Sequence, residues 1–164
     1  PLIIIYPLAK RFTKWPQIVL GLTFSWAVPT AWSAANEEWN IGIVIMYFAT
    51  VFWIVGYDTI YGCQDKNEDE IFGIKNSAIS AKNFLTVFVG CLYTMTFIFL
   101  ILSGCLLKAN YIWFIGVIIC GIHFINQIIK LKNLENYNPL NIFKSNITLG
   151  LILTMSALGN HLSI

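Results

Sequence analysis

Three aspartates, Asp58, Asp65 and Asp69, stand in the run YDTIYGCQDKNEDEIFGIKNSAI, between two long apolar stretches. On a single helix, at about 100° per residue, offsets of seven and eleven would bring their carboxylates within roughly 40° of one another. Aligned carboxylates repel each other and suit a hard, oxygen-seeking cation such as Mg²⁺, which commonly bridges protein carboxylates to the phosphates of a substrate. The spacing therefore points to a metal-binding face that handles a phosphorylated ligand at a membrane surface. Five of the eight acids in the chain fall between residues 58 and 70. A charge run between two spans is often only a solvated connector, but Asp58 follows directly on an apolar block, where an ionisable group is costly unless it is used. Glu68 and Glu70 point away from the Asp face on the same wheel and read as solvated. Lys75 and Lys82 follow at distances that let a loop fold back. Topology suffices to explain Lys82, whereas Lys75 reads as a positive group for a phosphate or carboxylate.

The elements that must position these residues are membrane spans. The chain is 57% hydrophobic and 11% charged, with a mean hydropathy of +0.71, and its apolar residues form blocks instead of alternating. Five blocks, 17–36, 41–57, 84–107, 109–129 and 147–162, each approach the roughly 17 to 25 residues of a spanning helix. Residues 1–9 read as the tail of a sixth, and the whole as an all-α, multi-pass transmembrane bundle, a single membrane domain over 1–164. A start at Pro1 inside such a block, with no charged region before it, is unlike a signal peptide, so the chain reads as a fragment of a larger bundle.

Nine of the ten basic residues fall in alternate loops: Lys10, Arg11 and Lys14; Lys66, Lys75 and Lys82; Lys130, Lys132 and Lys144. Lysine and arginine in short loops stay on the cytoplasmic side, so the acidic segment faces the cytoplasm or its equivalent, the mitochondrial matrix. A net charge of +2 without a clustered basic face excludes nucleic acid as a partner. Cys63, Cys91, Cys105 and Cys120 form no CxxC pair and read as packing residues, and Cys63 lacks a nearby His that would make it a nucleophile. His123 and His161 are solitary and read as hydrogen-bonded packing or interfacial residues. No GxxxxGK[ST] or GxGxxG occurs, so the usual phosphate-cradling loops are absent. Pro29, inside the first block, is expected to kink a membrane helix.

The run YDTIYGCQDKNEDEIFGIKNSAI resembles the second aspartate-rich motif of the intramembrane aromatic prenyltransferases, the UbiA superfamily, and most closely its 4-hydroxybenzoate polyprenyltransferase branch. YPLAKRFTKWPQIVLGLTFSWAVP is similar to the family's stretch after its fourth helix, with Tyr6, Pro7, Lys10, Arg11, Pro16, Gln17 and Gly21 in matching places. FKSNITLGL is similar to the segment entering the final helix. The resemblance covers nearly the whole chain.

It implies a reaction inside the membrane, a bacterial inner membrane or a mitochondrial one. Two Asp-rich loops hold the diphosphate of a polyprenyl donor through Mg²⁺ and promote its ionisation, and the allylic cation is attacked by the ring of 4-hydroxybenzoate, a step of ubiquinone biosynthesis. Asp58, Asp65 and Asp69 match the second motif and are the expected catalytic and metal-binding residues. Lys75, Tyr57 and Tyr61 are the expected substrate-binding residues, with packing an equal reading for the two tyrosines. The alternatives are another aromatic or quinone precursor, or haem, as acceptor; a transporter subunit; or a structural subunit whose acidic loop contacts a partner. The family's first motif, NDxxDxxxD, has no counterpart here, because outside the acidic segment the acids are Glu37, Glu38 and Glu135. Purified residues 1–164 are therefore expected to show little or no prenyl transfer in a radiolabelled-donor assay. Robust product formation would contradict the two-loop mechanism.

Overall fold

A computed structural model describes residues 9, 12–35 and 38–162, with backbone alone for Asn67, His161 and Leu162. Among these residues every regular element is helical: α1 (Pro16–Phe24), α2 (Ala27–Ala34), α3 (Ile41–Gly62), α4 (Lys66–Ile71), α5 (Ser77–Ser80), α6 (Leu85–Leu106), α7 (Tyr111–Lys132), α8 (Pro139–Lys144) and α9 (Asn146–Leu162). Local chemistry sets several starts. Asn40, Asn110 and Asn138 cap α3, α7 and α8, each side-chain oxygen accepting from the backbone N–H two residues on. Pro139 occupies the first turn of α8, where its missing N–H costs nothing. Lys130 and Lys132 close α7, where positive charge complements the exposed carbonyls.

Among the described residues, four segments are long and apolar enough to cross a membrane: Ile41–Gly62, Leu85–Leu106, Tyr111–Lys132 and Pro139–Asn160, the last running through α8 and α9 with a turn at Ser145. The protein is an integral membrane protein. The exposed surface agrees, since Ile115, Ile118, Ile122, Ile125 and Ile129 form one bare stripe along α7 that suits hydrocarbon and not water. Many hydroxyls inside the spans bond to their own helix, whereas that of Ser103 in α6 crosses to the carbonyl of Gly42 in α3 at 2.9 Å. The hydroxyls of Thr50, Thr59, Thr94, Thr96, Thr154 and Ser156 each donate to the carbonyl four residues back.

The expected spans need correction in two places. Block 17–36 is two short helices, α1 and α2, broken at Ser25–Trp26. Pro29 has no N–H for the carbonyl of Ser25, and its ring crowds that carbonyl, so the chain turns one helical turn earlier. The N–H of Val28 takes the Ser25 carbonyl instead, at 3.0 Å. The final span begins at Pro139 and not at 147, which places Lys144 on a helix instead of in a loop.

Helix α3 is the centre of the packing: α6 lies along it, α1 and α8 flank it, and α7 joins α6 to α9. The core runs along these seams, with Ile60, Val89, Tyr93, Cys120, Phe124 and Leu149 buried together and Tyr93 stacked on Phe124 at 4.4 Å. Gly56 lets α6 approach α3, because a Cβ there would lie 2.6 Å from the ring of Tyr93. Gly56→Ala is expected to destabilise the bundle by about 1–3 kcal/mol through overpacking, read as a lower unfolding midpoint of the detergent-solubilised protein.

Candidate functional site

Helix α3 carries Tyr57, Asp58 and Tyr61 to one end of the bundle and stops at Gly62. Its last turn tightens as the N–H groups of Cys63 and Gln64 bond to the carbonyls three residues back, Ile60 and Tyr61. Asp65 then occupies the N-cap position of the separate helix α4, without a side-chain capping bond. The three aspartates therefore do not share one helical face, which corrects the expectation from spacing. Glycine at 62 and an aspartate that favours helix starts interrupt the helix between them. Asp58 and Asp65 are half-buried, and Asp69 on α4 is buried at 7% exposure, whereas Glu68 and Glu70 are exposed as expected. Among the described residues no three of His, Cys, Asp and Glu are gathered as a metal cluster.

Asp69 is turned inward to Asn76, whose Nδ2 donates to its Oδ2 at 2.8 Å and to the carbonyl of Gly62 at 2.9 Å. Asn76 Oδ1 accepts from the N–H of Ala78 at 2.9 Å, capping α5, and from Gln17 Nε2 of α1 at 3.3 Å. Gln17 Oε1 in turn accepts from the N–H of Ser77 at 3.0 Å and from its hydroxyl. Asn76, Gln17 and Ser77 are all buried. Gly62 is required at this point, since a Cβ would lie 2.4 Å from Asn76 Oδ1.

Lys75 is half-buried, and its ammonium donates to the carbonyl of Phe12 at 3.2 Å; Ser80 donates to the carbonyl of Lys14 at 2.8 Å. The segment leading into α1 is thus fastened along the segment that follows the acids. Tyr6, Pro7, Lys10 and Arg11 lie outside the described residues. Tyr57 lines a cavity of about 420 Å³ with Ser25, Trp53, Phe143 and Asn146, whereas Tyr61 packs its ring on Phe143 at 5.0 Å and is not part of that lining. Trp53 Nε1 donates to Asn146 Oδ1 at 2.8 Å, fixing the indole as a wall. This space is within the range of small-molecule sites, and its walls are mainly aromatic and aliphatic.

The donor set fits a divalent cation only in part. Hard cations such as Mg²⁺ take one or two protein carboxylates and complete their shell with water and substrate phosphate oxygens. Asp58, Asp65 and Asp69 supply carboxylates of that kind on adjoining elements, whereas the Lys75 ammonium is turned to the carbonyl of Phe12. Asn76 is the site residue that sequence reasoning missed. Its position before Ser77 marks it as a helix cap, but nothing local announces its bonds to Asp69 and Gln17. His123 meets Ser145 at 3.0 Å, in keeping with a packing role.

Fold and site together define a helical membrane protein with a carboxylate-bearing segment folded onto the end of its spans, beside an apolar cavity. The chain belongs to the UbiA prenyltransferase family, which it matches over residues 1–150. It is 34% identical over 156 residues to a 4-hydroxybenzoate octaprenyltransferase of Francisella tularensis subsp. novicida (strain U112), covering 95% of this chain and 55% of that protein. It is 33% identical over 148 residues to a protein of the same name from Psychromonas ingrahamii, covering 90% and 52% respectively. The chain thus spans about half the length of these curated relatives. No solved structure matches it.

Burial pushes the Cys63 thiol up to about 11, against a smaller opposing effect of the Lys66 ammonium. At pH 8 only about one such thiol in a thousand is thiolate, the reactive form. Iodoacetamide labelling of Cys63 is therefore expected to be slow at pH 8 and to accelerate toward pH 11, and Cys63→Ser to leave turnover within about twofold. Fast labelling at neutral pH would show an activated thiol instead.

Proposed function

We propose that this chain forms the C-terminal part of an intramembrane enzyme that transfers a polyprenyl group from a polyprenyl diphosphate to the ring of 4-hydroxybenzoate, a step of ubiquinone synthesis. One observation carries the reading: an acidic segment with Asp69 drawn into the protein begins at the residue after Tyr57, which itself lines an aromatic cavity. Family membership and the printed names of the relatives support it.

Prenyltransferases of this family generally use a divalent metal to ionise the diphosphate. Here the metal is proposed to be Mg²⁺, held by Asp58, Asp65 and Asp69 together with diphosphate oxygens; when bound it would neutralise the leaving group's charge. Lys75 is proposed to add positive charge to the diphosphate, Tyr57 to border the aromatic or isoprenoid pocket, and Tyr61 to support that border through its packing on Phe143. The walls formed by Trp53, Tyr57 and Phe143 keep water from the reacting carbon, which matters because an allylic cation is captured by any nucleophile that reaches it. The enclosing membrane is proposed to be a bacterial inner membrane, with the acidic segment on its cytoplasmic face; a mitochondrial inner membrane, with that segment in the matrix, is the alternative.

Asp65→Asn in the membrane-embedded protein that carries this chain is expected to lower transfer at least 100-fold and to abolish complementation of a ubiquinone-deficient strain. The same protein is expected to bind a polyprenyl diphosphate only when a divalent cation is present. Undiminished complementation by the Asn variant, or metal-independent donor binding, would remove the basis for the assignment.

A further inference from the structure

The strongest unassigned feature is the amide pair Gln17–Asn76. We propose that Asn76, held in place by Gln17, is a positioning residue that fixes the carboxylate of Asp69 for its ligand by donating a neutral hydrogen bond; the proposal rests on the reading of Asp69 as part of the diphosphate-metal site. An Asn side chain offers two donor hydrogens and an oxygen with two lone pairs. All four capacities of Asn76 are used, toward Asp69, Gly62, Ala78 and Gln17, so neither translation nor an amide flip is open to it. Asp69 is thereby referenced to the end of α3, which carries Asp58, and to the start of α1. A lysine or arginine in the same place would pair with the carboxylate and cancel the charge that a cation needs. An amide orients it and leaves the charge intact.

The cap and the positioning role are separable. Asn76→Asp keeps the shape and a good cap for α5 but presents no donor to Asp69 or Gly62. Asn76→Ser keeps a neutral cap for α5, but its hydroxyl is too short to reach Asp69 or the carbonyl of Gly62. In the membrane-embedded protein carrying this chain, Asn76→Asp is expected to lower turnover at least 10-fold and to raise the Mg²⁺ requirement at least 5-fold, read both as the concentration for half-maximal rate and as that for half-maximal binding of a radiolabelled polyprenyl diphosphate without acceptor, with the KM for the aromatic acceptor unchanged. Asn76→Ser, which loses the same donors, is expected to shift the Mg²⁺ requirement in the same direction as Asn76→Asp. Gln17→Glu, which still accepts from Ser77 but no longer donates to Asn76, is expected to shift the Mg²⁺ requirement in the same direction as Asn76→Asp and by less. This last variant decides the matter if Asn76→Asp does not accumulate.

An unchanged Mg²⁺ requirement in both Asn76→Asp and Gln17→Glu, with Asp69→Asn inactive, overturns the positioning role and leaves the assignment of Asp69 standing. Full activity of Asp69→Asn overturns that assignment itself. Equal losses in turnover and acceptor KM for Asn76→Asp and Asn76→Ser, with no change in metal requirement, would mark Asn76 as structural and also overturn the proposal.

Discussion

A polar atom inside a membrane protein has few places to find a partner, and the acidic end of this bundle depends on how one amide meets that constraint. Asn76 is the point where α1, α3, α4 and α5 meet, through Gln17, the carbonyl of Gly62, Asp69 and its own cap of Ala78. A buried donor or acceptor left without a partner costs about 1–3 kcal/mol. Four such atoms facing one side chain tie the local fold to a single arrangement. The absence of a Cβ at Gly62 is part of the same device, because it lets the amide reach the last carbonyls of α3.

The spans answer the constraint differently. Most threonine and serine hydroxyls bond back along their own helices, with Ser103 of α6 the exception that reaches the carbonyl of Gly42 in α3. Association between helices then rests largely on shape. Gly56 admits the ring of Tyr93, and Gly104 admits the indole of Trp113, whose Nε1 donates to the carbonyl of Leu100 at 3.2 Å. Where α1 and α2 break at Ser25–Trp26, shape complementarity is interrupted, and the cavity bordered by Tyr57 and Trp53 opens beside that break.

The spans were legible in the sequence because hydrocarbon imposes a length and a composition that few other constraints mimic. Three long blocks agree with α3, α6 and α7 to within a few residues. Block 17–36 did not survive, since hydropathy does not register that Pro29 denies a bond to Ser25. The acids were legible as a group and misread in geometry: spacing on a wheel assumes an unbroken helix, and the helix ends at Gly62. Asn76 stayed hidden for a different reason. Its partners Asp69, Gly62 and Gln17 lie 7, 14 and 59 positions away, and no local pattern encodes a bond of that span. Gln17 entered the sequence reading only through its place in a resembling stretch. Lys75 was read as a positive group for a phosphate or carboxylate, whereas in the structure its ammonium donates to the carbonyl of Phe12, a partner 63 positions away that spacing does not reveal.

The separation of the carboxylates has its own physical logic. Three aspartates aligned on one face of low dielectric would repel one another strongly whenever no cation was present. Dividing them between the last turns of α3 and the short helix α4 lowers that repulsion. Burying Asp69 against an amide, and not against a lysine, keeps its charge available at the same time. A diphosphate brings oxygens of its own, and a hard cation that needs only one or two protein carboxylates gains nothing from a cage already closed. The arrangement found is therefore a dispersed set of acids and not the compact trio that residue spacing alone suggests. The Gln17–Asn76 pair ties that arrangement together at the point where α1 meets the acidic segment.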